Sequence, residues 1–371
     1  MKEYIKKHLI NLRGKRLKER IFVIESDDWG AIRIPNKDAQ SELFRQGLIK
    51  EENPFSKYDC LERSADYEAL YGVLRQFTDC KGNSPVLTAN VVMSNPDFHS
   101  IEASGFQHYT FEHFSKTYER YYAGASTFEV LQSGIQEGLI YPQFHAREHM
   151  NVQRWMDKLV SCDPSFRKAF KWQCYAIDDS DTSNQRANIM ATYDYRDDNE
   201  LRNIQHGIEE GLDLFENTFG FPSYTHIAPC YVWNESIEQT VYKIGVRGIQ
   251  SSKFQQYKVP KSGRHKRIWR YMGQMNDYNQ VYTVRNVLFE PSLNSRINWV
   301  EKALESIATA FFWGKPAVIG SHRINYVGGL SKENRANTLM QLDELLKRVL
   351  KKWPDVEFWT SAQLAQMLIN A

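Results

Sequence analysis

The sequence predicts an α/β fold, a barrel of mainly parallel strands with long loops inserted at the strand carboxyl ends. Three observations point to it. Short β-favouring runs alternate with amphipathic helical stretches along all 371 residues, the pattern of βα units around a parallel sheet. Seven to nine such runs suit a barrel better than an open sheet, and barrels of this class commonly exceed about 250 residues as one unit. The third observation is chemical: carboxylates and histidines stand where the runs stop, and parallel α/β folds gather function at that end.

The runs in order are RIFVIES (20–26), PVLTANVVM (85–93), LIYPQFH (139–145), QCYAID (173–178), YTHIAPCY (224–231), VRGIQSS (246–252), TVRNVLFEP (283–291), PAVIGSH (316–322) and VEFWTS (356–361). Helices are expected between them, at DYEALYGVLRQF (66–77), NVQRWMDKLV (151–160) and NTLMQLDELLKRVL (337–350). The last carries Leu339, Leu342, Leu345, Leu346 and Leu350 at helical spacing. No repeat, low-complexity tract or Pro/Gly/Ser linker divides the chain. The expected organisation is a basic leader over 1–19 and one barrel domain over 20–371, with insertions near 40–65, 95–135 and 178–205. The first two insertions are rich in aromatics. They are either stabilising covers or loops that build substrate specificity over the strand ends.

Composition narrows the function classes. Hydrophobic residues make up 42% and charged residues 25%, enough apolar content for a large core. The first twenty residues carry eight Lys/Arg against two Glu, so the net +2 of the chain leaves the remainder acidic, with no basic stripe for nucleic acid. The leader lacks the apolar run of a secretory signal, and nothing later has the length of a membrane span. Tyr4, Ile5, Leu9 and Leu12 can form one face of a short basic helix, either packed on the domain or in weak contact with an anionic membrane surface. Five cysteines, odd in number and without a CxxC pair, fit a reduced, cytoplasmic protein.

The strand ends supply the candidate site. Asp27 and Asp28 follow the first run; His145 ends the third, with His149 four residues on in HAREHMN; Tyr231 ends YTHIAPCY; His322 ends PAVIGSH. Two imidazoles and one carboxylate make an open three-ligand site for zinc or a similar divalent ion. An acid beside it and free of the ion can take a proton from water, and a histidine at another strand end can protonate a leaving group.

The order of these motifs resembles the polysaccharide deacetylase family, whose catalytic domain is a distorted (β/α)7 barrel. The resemblance runs from about residue 20 to 368 through short motifs only. It implies Asp27 as base, Asp28, His145 and His149 as ligands of one divalent metal ion, the backbone N–H of Tyr231 as oxyanion donor, and His322 as general acid. Zinc is the first expectation for the ion, with nickel, cobalt or iron(II) as alternatives. The implied substrate is an acylated sugar or glycan precursor. Three positions depart from the family pattern. Trp29 interrupts the usual DDG, Ala228 stands where an arginine normally tethers the base, and no aspartate matches the one that orients the late histidine. Arg147, Arg285 and Arg323 are the candidates to replace the arginine from another strand. Asp178, Asp179 and Asp181 belong to an inserted segment or a substrate loop.

Further candidates for substrate binding are Trp29, Asn90, Arg147, Trp233 and Arg323, each beside a motif residue or at a strand end; Asn325 also follows the proposed acid. Rival readings remain open at this level. HAREH also reads as HxxEH with Glu148 as base, a zinc-peptidase motif that needs the pentapeptide inside a helix. A glycosidase would need two carboxylates about 5–9.5 Å apart across the scissile bond, which adjacent aspartates suit poorly. A carbohydrate-binding protein that kept the scaffold and lost turnover is the third.

Overall fold

A computed structural model describes residues 2–178, 189–259 and 264–370. Its centre is a curled, mostly parallel sheet whose strands run, neighbour to neighbour, through Arg20–Trp29, Leu87–Val92, Ile140–Ala146, Thr225–Ile227 and Gly248–Ser251. On the other side of Arg20–Trp29 lies Ala317–His322, paired in register from Phe22↔Ala317 to Asp27↔His322. One segment joins the two ends. Val281–Val284 pairs with Gly248–Ser251, and Val287–Leu288, two residues later, pairs with Ala317–His322. The Arg285 N–H still donates to the Ser251 carbonyl (2.9 Å), while the Asn286 N–H donates to Val318 (3.2 Å). The segment therefore changes partners at Arg285, and the sheet becomes a distorted barrel. Val356–Trp359 lies outside this circuit, against the first half of Arg20–Trp29.

Alternation along the strands gives the barrel two different faces. Outward residues such as Phe22, Ile24, Leu87, Ile140, Phe144 and Ile319 form the main core with the surrounding helices. The helix Lys332–Lys352 supplies Leu339, Leu342, Leu345 and Leu346 to that core, the leucines of the expected helical stripe. The interior is graded along the barrel. At the amino ends of the strands, Ile21, Val23 and Val318 meet Leu364 and Leu368 of the last helix, Ser361–Asn370. Above that apolar plug lies a polar layer made of Glu25, Arg285, Gln250, Asn90, Gln143 and Thr225, all buried. The acids and histidines stand above this layer, at the carboxyl ends.

The helix Lys2–Leu12 is docked on the barrel's flank: Lys7 pairs with Glu305 at 2.6 Å, Trp313 Nε1 donates to His8 Nδ1 at 3.0 Å, and Asn286 donates to Asn11 at 2.8 Å. Leu9 and Leu12 stay exposed. Among the described residues, no helix is long and apolar enough to cross a membrane.

Two expected strands differ. QCYAID forms none: the Cys174 N–H turns back to the Ala169 carbonyl after Gln173 adopts φ 53°, and Tyr175 and Ala176 pack into a satellite cluster with Phe98, Trp155 and Phe170. TVRNVLFEP is two short strands rather than one, for the partner change described above. The aromatics of 95–135 mostly pack: Phe98 and Phe106 join the satellite cluster, and Phe114 and Tyr118 join the main core. Of IDDSDTS, Asp178 anchors the 50–56 stretch, accepting from the Lys50 N–H at 2.6 Å and from Asn53 and Ser56. Asp179 and Asp181 lie outside the described residues, as does part of the 178–205 insertion.

Candidate functional site

Adjacent residues on a regular strand point to opposite faces, yet Asp27 and Asp28 both reach the barrel mouth. The cause is a bulge. Pairing with Leu87–Val92 runs Ser26↔Ala89 and then Trp29↔Val91, so two aspartates oppose the single residue Asn90. Asp28 takes φ 76°, a conformation that costs a non-glycine residue energy and tends to persist at functional sites. Gly30 follows at φ 83°, where an added Cβ would stand 2.4 Å from the Val92 carbonyl oxygen; this is the glycine that Trp29 displaces by one position. A second bulge lies across the mouth: Val91 pairs with Phe144 and Val92 with Ala146, leaving His145 as the extra residue.

Between the two bulges, Asp28 meets both histidines. Its Oδ1 lies 3.1 Å from His149 Nε2 and 3.4 Å from His145 Nε2, and one donor atom from each of the three residues falls within 4.8 Å of the others. All three are buried. The His145 Nδ1–H donates to the Ile227 carbonyl at 2.9 Å, which leaves Nε2 as the lone-pair nitrogen. That nitrogen and His149 Nδ1 are buried without a hydrogen-bond partner. His145 Nε2, orphaned and facing the buried Asp28 carboxylate, is costly as it stands and is satisfied by a cation, so the donor set fits one divalent ion. Burial works to raise the Asp28 carboxyl, but the His149 and His145 imidazoles beside it outweigh that and hold it well below the ordinary range.

Arg285 occupies the place left by Ala228. Its Nη1 donates to Asp27 Oδ2 at 2.7 Å and its Nη2 to Oδ1 at 2.6 Å, while Nε donates to Glu25 at 2.7 Å. Asn90 adds a hydrogen bond to Asp27 Oδ1 at 2.8 Å and pairs reciprocally with Gln250. Burial pushes the Asp27 carboxyl up; the charge and hydrogen bonds of Arg285, helped by His322 and His145, outweigh it and bring it down to about 2. Glu25 goes the other way: burial, against Arg285 and the Ser361 hydroxyl, holds its carboxyl above the usual value. Arg285 has room because Gly320 passes beside it; a Cβ there would lie 2.7 Å from Arg285 Cδ.

His322 stands across from Asp27, its Nε2 3.8 Å from Oδ2, with its side chain 29% exposed toward the mouth. Its Nδ1 bonds Glu290 Oε1 at 2.6 Å, and Asn325 holds the other Glu290 oxygen at 2.6 Å. Burial opposes the charged ring, but Glu290, then Asp28 and Asp27, raise its pKa to about 10. Glu290 thus fills the orienting role for which sequence reading found no acid. The signal was present, since Glu290 follows the apolar run VLF at a strand end, as Asp27 follows the run RIFVIES.

Other assignments need correction. The Tyr231 N–H donates to the Ala228 carbonyl (3.0 Å) in a tight turn with Cys230 and Tyr231 both at positive φ, so it is already engaged; the Tyr231 hydroxyl accepts from Arg285 at 3.2 Å. Trp29 is a core residue, stacked on Tyr67 and Tyr326 with its Nε1 donating to Ser26, and offers no face to a sugar. Trp233 is likewise buried, its Nε1 on Glu238 at 2.8 Å. Arg323 is wholly buried and saturated by Asp59, Glu62 and the Ala31 carbonyl. Arg147 pairs with Glu148 and Glu210 over the Phe111 ring, and Asn90 supports the base from below. HAREH is a strand end followed by bends, with Glu148 buried against Arg147 and Ser94, so the helical HxxEH arrangement is not formed.

No protein-family model matches the chain, and no curated protein sequence matches it. Among solved structures it is similar to a 4-α-glucanotransferase from Thermococcus litoralis, at 9% identity and a TM-score of 0.47 over 94% of this chain, which spans only 40% of that one. It is similar to a candidate polysaccharide deacetylase from Mycobacterium smegmatis at 12% identity and 0.41, covering 96% and 92% of the two chains. With a polysaccharide deacetylase from Bacillus cereus the values are 10% and 0.30, over 73% and 65%. Likenesses this distant leave the chemistry of the site to its own residues. Polysaccharide deacetylases are thus among the solved structures to which this chain is similar, at low identity and TM-score.

Proposed function

We propose that the chain is a metal-dependent hydrolase that removes an acyl group from an acylated sugar or glycan precursor. The observation that carries this reading is the buried cluster of Asp28, His145 and His149 with two orphaned ring nitrogens, set beside a clamped carboxylate and a charged histidine. Asp28, His145 and His149 would hold one divalent ion, zinc first, with nickel, cobalt or iron(II) as alternatives. When bound, such an ion supplies Lewis-acid polarisation of an acyl carbonyl and makes water more acidic.

The chain's own residues do the rest. Asp27, ionised and fixed by Arg285 and Asn90, accepts a proton from the attacking water. His322, held protonated by Glu290 and reachable from the mouth, donates to the departing amine or alcohol. Their 3.8 Å separation lets both address one reacting group. Arg285, paired with Asp27, supports a working site over a scaffold that lost turnover with its arginine. The free cysteines fit a reducing compartment, so a cytoplasmic sugar conjugate is the proposed substrate setting.

Acetate release from N-acetylated and O-acetylated sugars by the zinc-loaded protein tests the reading. Release that is abolished by chelation and restored by added metal is expected. Absence of release across both ester and amide substrates, with metal bound, would leave a binding role instead.

A further inference from the structure

Four arginines stand around the site, and three are spent, Arg147 on Glu148 and Glu210. Arg285 is shared by Glu25 and Asp27, and Arg323 by Asp59, Glu62 and a backbone carbonyl. Arg33, five residues after Asp28, is different. Its backbone is fixed: Ile32 and Ile34 on either side are fully buried, and the Ile32 N–H donates to Asn95 at 2.7 Å. Its side chain is half-buried and lies over Phe55, with Cζ 4.7 Å from the ring centroid. The same ring meets the His322 imidazole edge-on, at 5.5 Å between centroids and 86° between planes. Phe55 thus joins the guanidinium to the proposed acid at the site mouth.

Among the described residues, Arg33 has no carboxylate and no hydrogen-bond acceptor, and its Nε is buried without a partner. Asp59, whose carboxyl feels the Arg33 charge, is bonded instead to Arg323 through its Nε and Nη2 at 3.2 and 3.0 Å. A rigidly mounted, aromatic-backed guanidinium with open donors is built for a two-oxygen anion. An arginine merely lying on a surface ring is the duller account, and it predicts no ligand preference.

We propose that Arg33 is a specificity-determining residue that takes an anionic group, carboxylate or phosphate, carried by the sugar on the His322 side of the site. That this sugar is a substrate rests on the hydrolase reading; the anion site itself does not.

Calorimetric titration of the full chain, with and without zinc, tests this with three probes: N-acetylglucosamine, N-acetylglucosamine 1-phosphate and N-acetylmuramic acid. At least one anionic probe is expected to bind about tenfold or more tighter than the neutral sugar. That preference should fall to about twofold or less in Arg33→Met and be partly kept in Arg33→Lys, with affinity for the neutral sugar unchanged. Which anionic probe leads distinguishes phosphate from carboxylate. No anion preference in the wild type, or a preference that survives Arg33→Met, overturns the proposal; survival only when zinc is present would assign the anion to the ion. Because the preference is read on the metal-free chain too, its presence alongside absent acetate release would defeat the hydrolase reading and leave the anion site standing.

Discussion

Arg285 grips Asp27 with both terminal nitrogens, at 2.6 and 2.7 Å, while its Nε holds Glu25 one layer deeper. The arginine comes from the point where the sheet changes partners, so the same residue that closes the barrel also fixes the proposed base.

Removing it should therefore cost twice. Arg285→Met leaves two buried carboxylates without their cation, and a loss of about 3–5 kcal/mol in urea unfolding is expected. Any hydrolysis should fall by about a hundredfold or more, since the base loses its orientation. Arg285→Lys should recover part of the stability and less of the activity, because one ammonium cannot reproduce the fork.

Gly320→Ala tests the same grip sterically. The glycine needs no special backbone conformation; its value is the 2.7 Å approach to Arg285 Cδ. A destabilisation of about 1–3 kcal/mol is expected from crowding, with a drop in activity that exceeds what the loss of folded protein explains. Thermal melts beside kinetics on the same samples separate the two.

His322 makes stability depend on pH in a stated direction. Its pKa is raised from 6.5 to about 10, so its contribution is complete below pH 6.5 and is lost as pH climbs through 10. Glu290→Gln removes the largest favourable partner. The variant should show a smaller loss of Tm between pH 6.5 and 10 than the wild type, and the alkaline limb of any activity profile should move to lower pH.

Arg323 follows His322 in sequence but belongs to the wall. Arg323→Met strands Asp59 and Glu62 in the interior and is expected to cost about 3–5 kcal/mol while leaving metal content per folded chain unchanged. A change in metal content without a change in unfolding free energy would put Arg323 back at the site.

The division between what sequence reading reached and what it missed follows from how each feature is encoded. Strand ends are local, so Asp27, Asp28, His145, His149 and His322 could be found where apolar runs stop. Register is a relation between strands, so neither bulge was visible, although the bulges explain why neighbours Asp27 and Asp28 share one mouth and why His145 joins them. Adjacency misleads for Trp29, Trp233 and Arg323, because nearness in sequence to a motif residue does not say which way a side chain points, and all three are buried in the wall. Arg285 was one of three candidates, and only the folded chain selects among them. Glu290 obeys the same strand-end rule, yet its bond to His322 is a relation between two strands that neither run carries by itself.

In the proposed site Asp28, His145 and His149 share one divalent ion while Asp27 stays free of it. Elemental analysis of the purified protein and four single variants tests it most directly. About one ion per chain is expected in the wild type, lost in Asp28→Ala, His145→Ala and His149→Ala and kept in Asp27→Ala. A wild-type chain that holds no metal even after reconstitution would contradict the account, as would an Asp27→Ala chain that loses its ion while still folded.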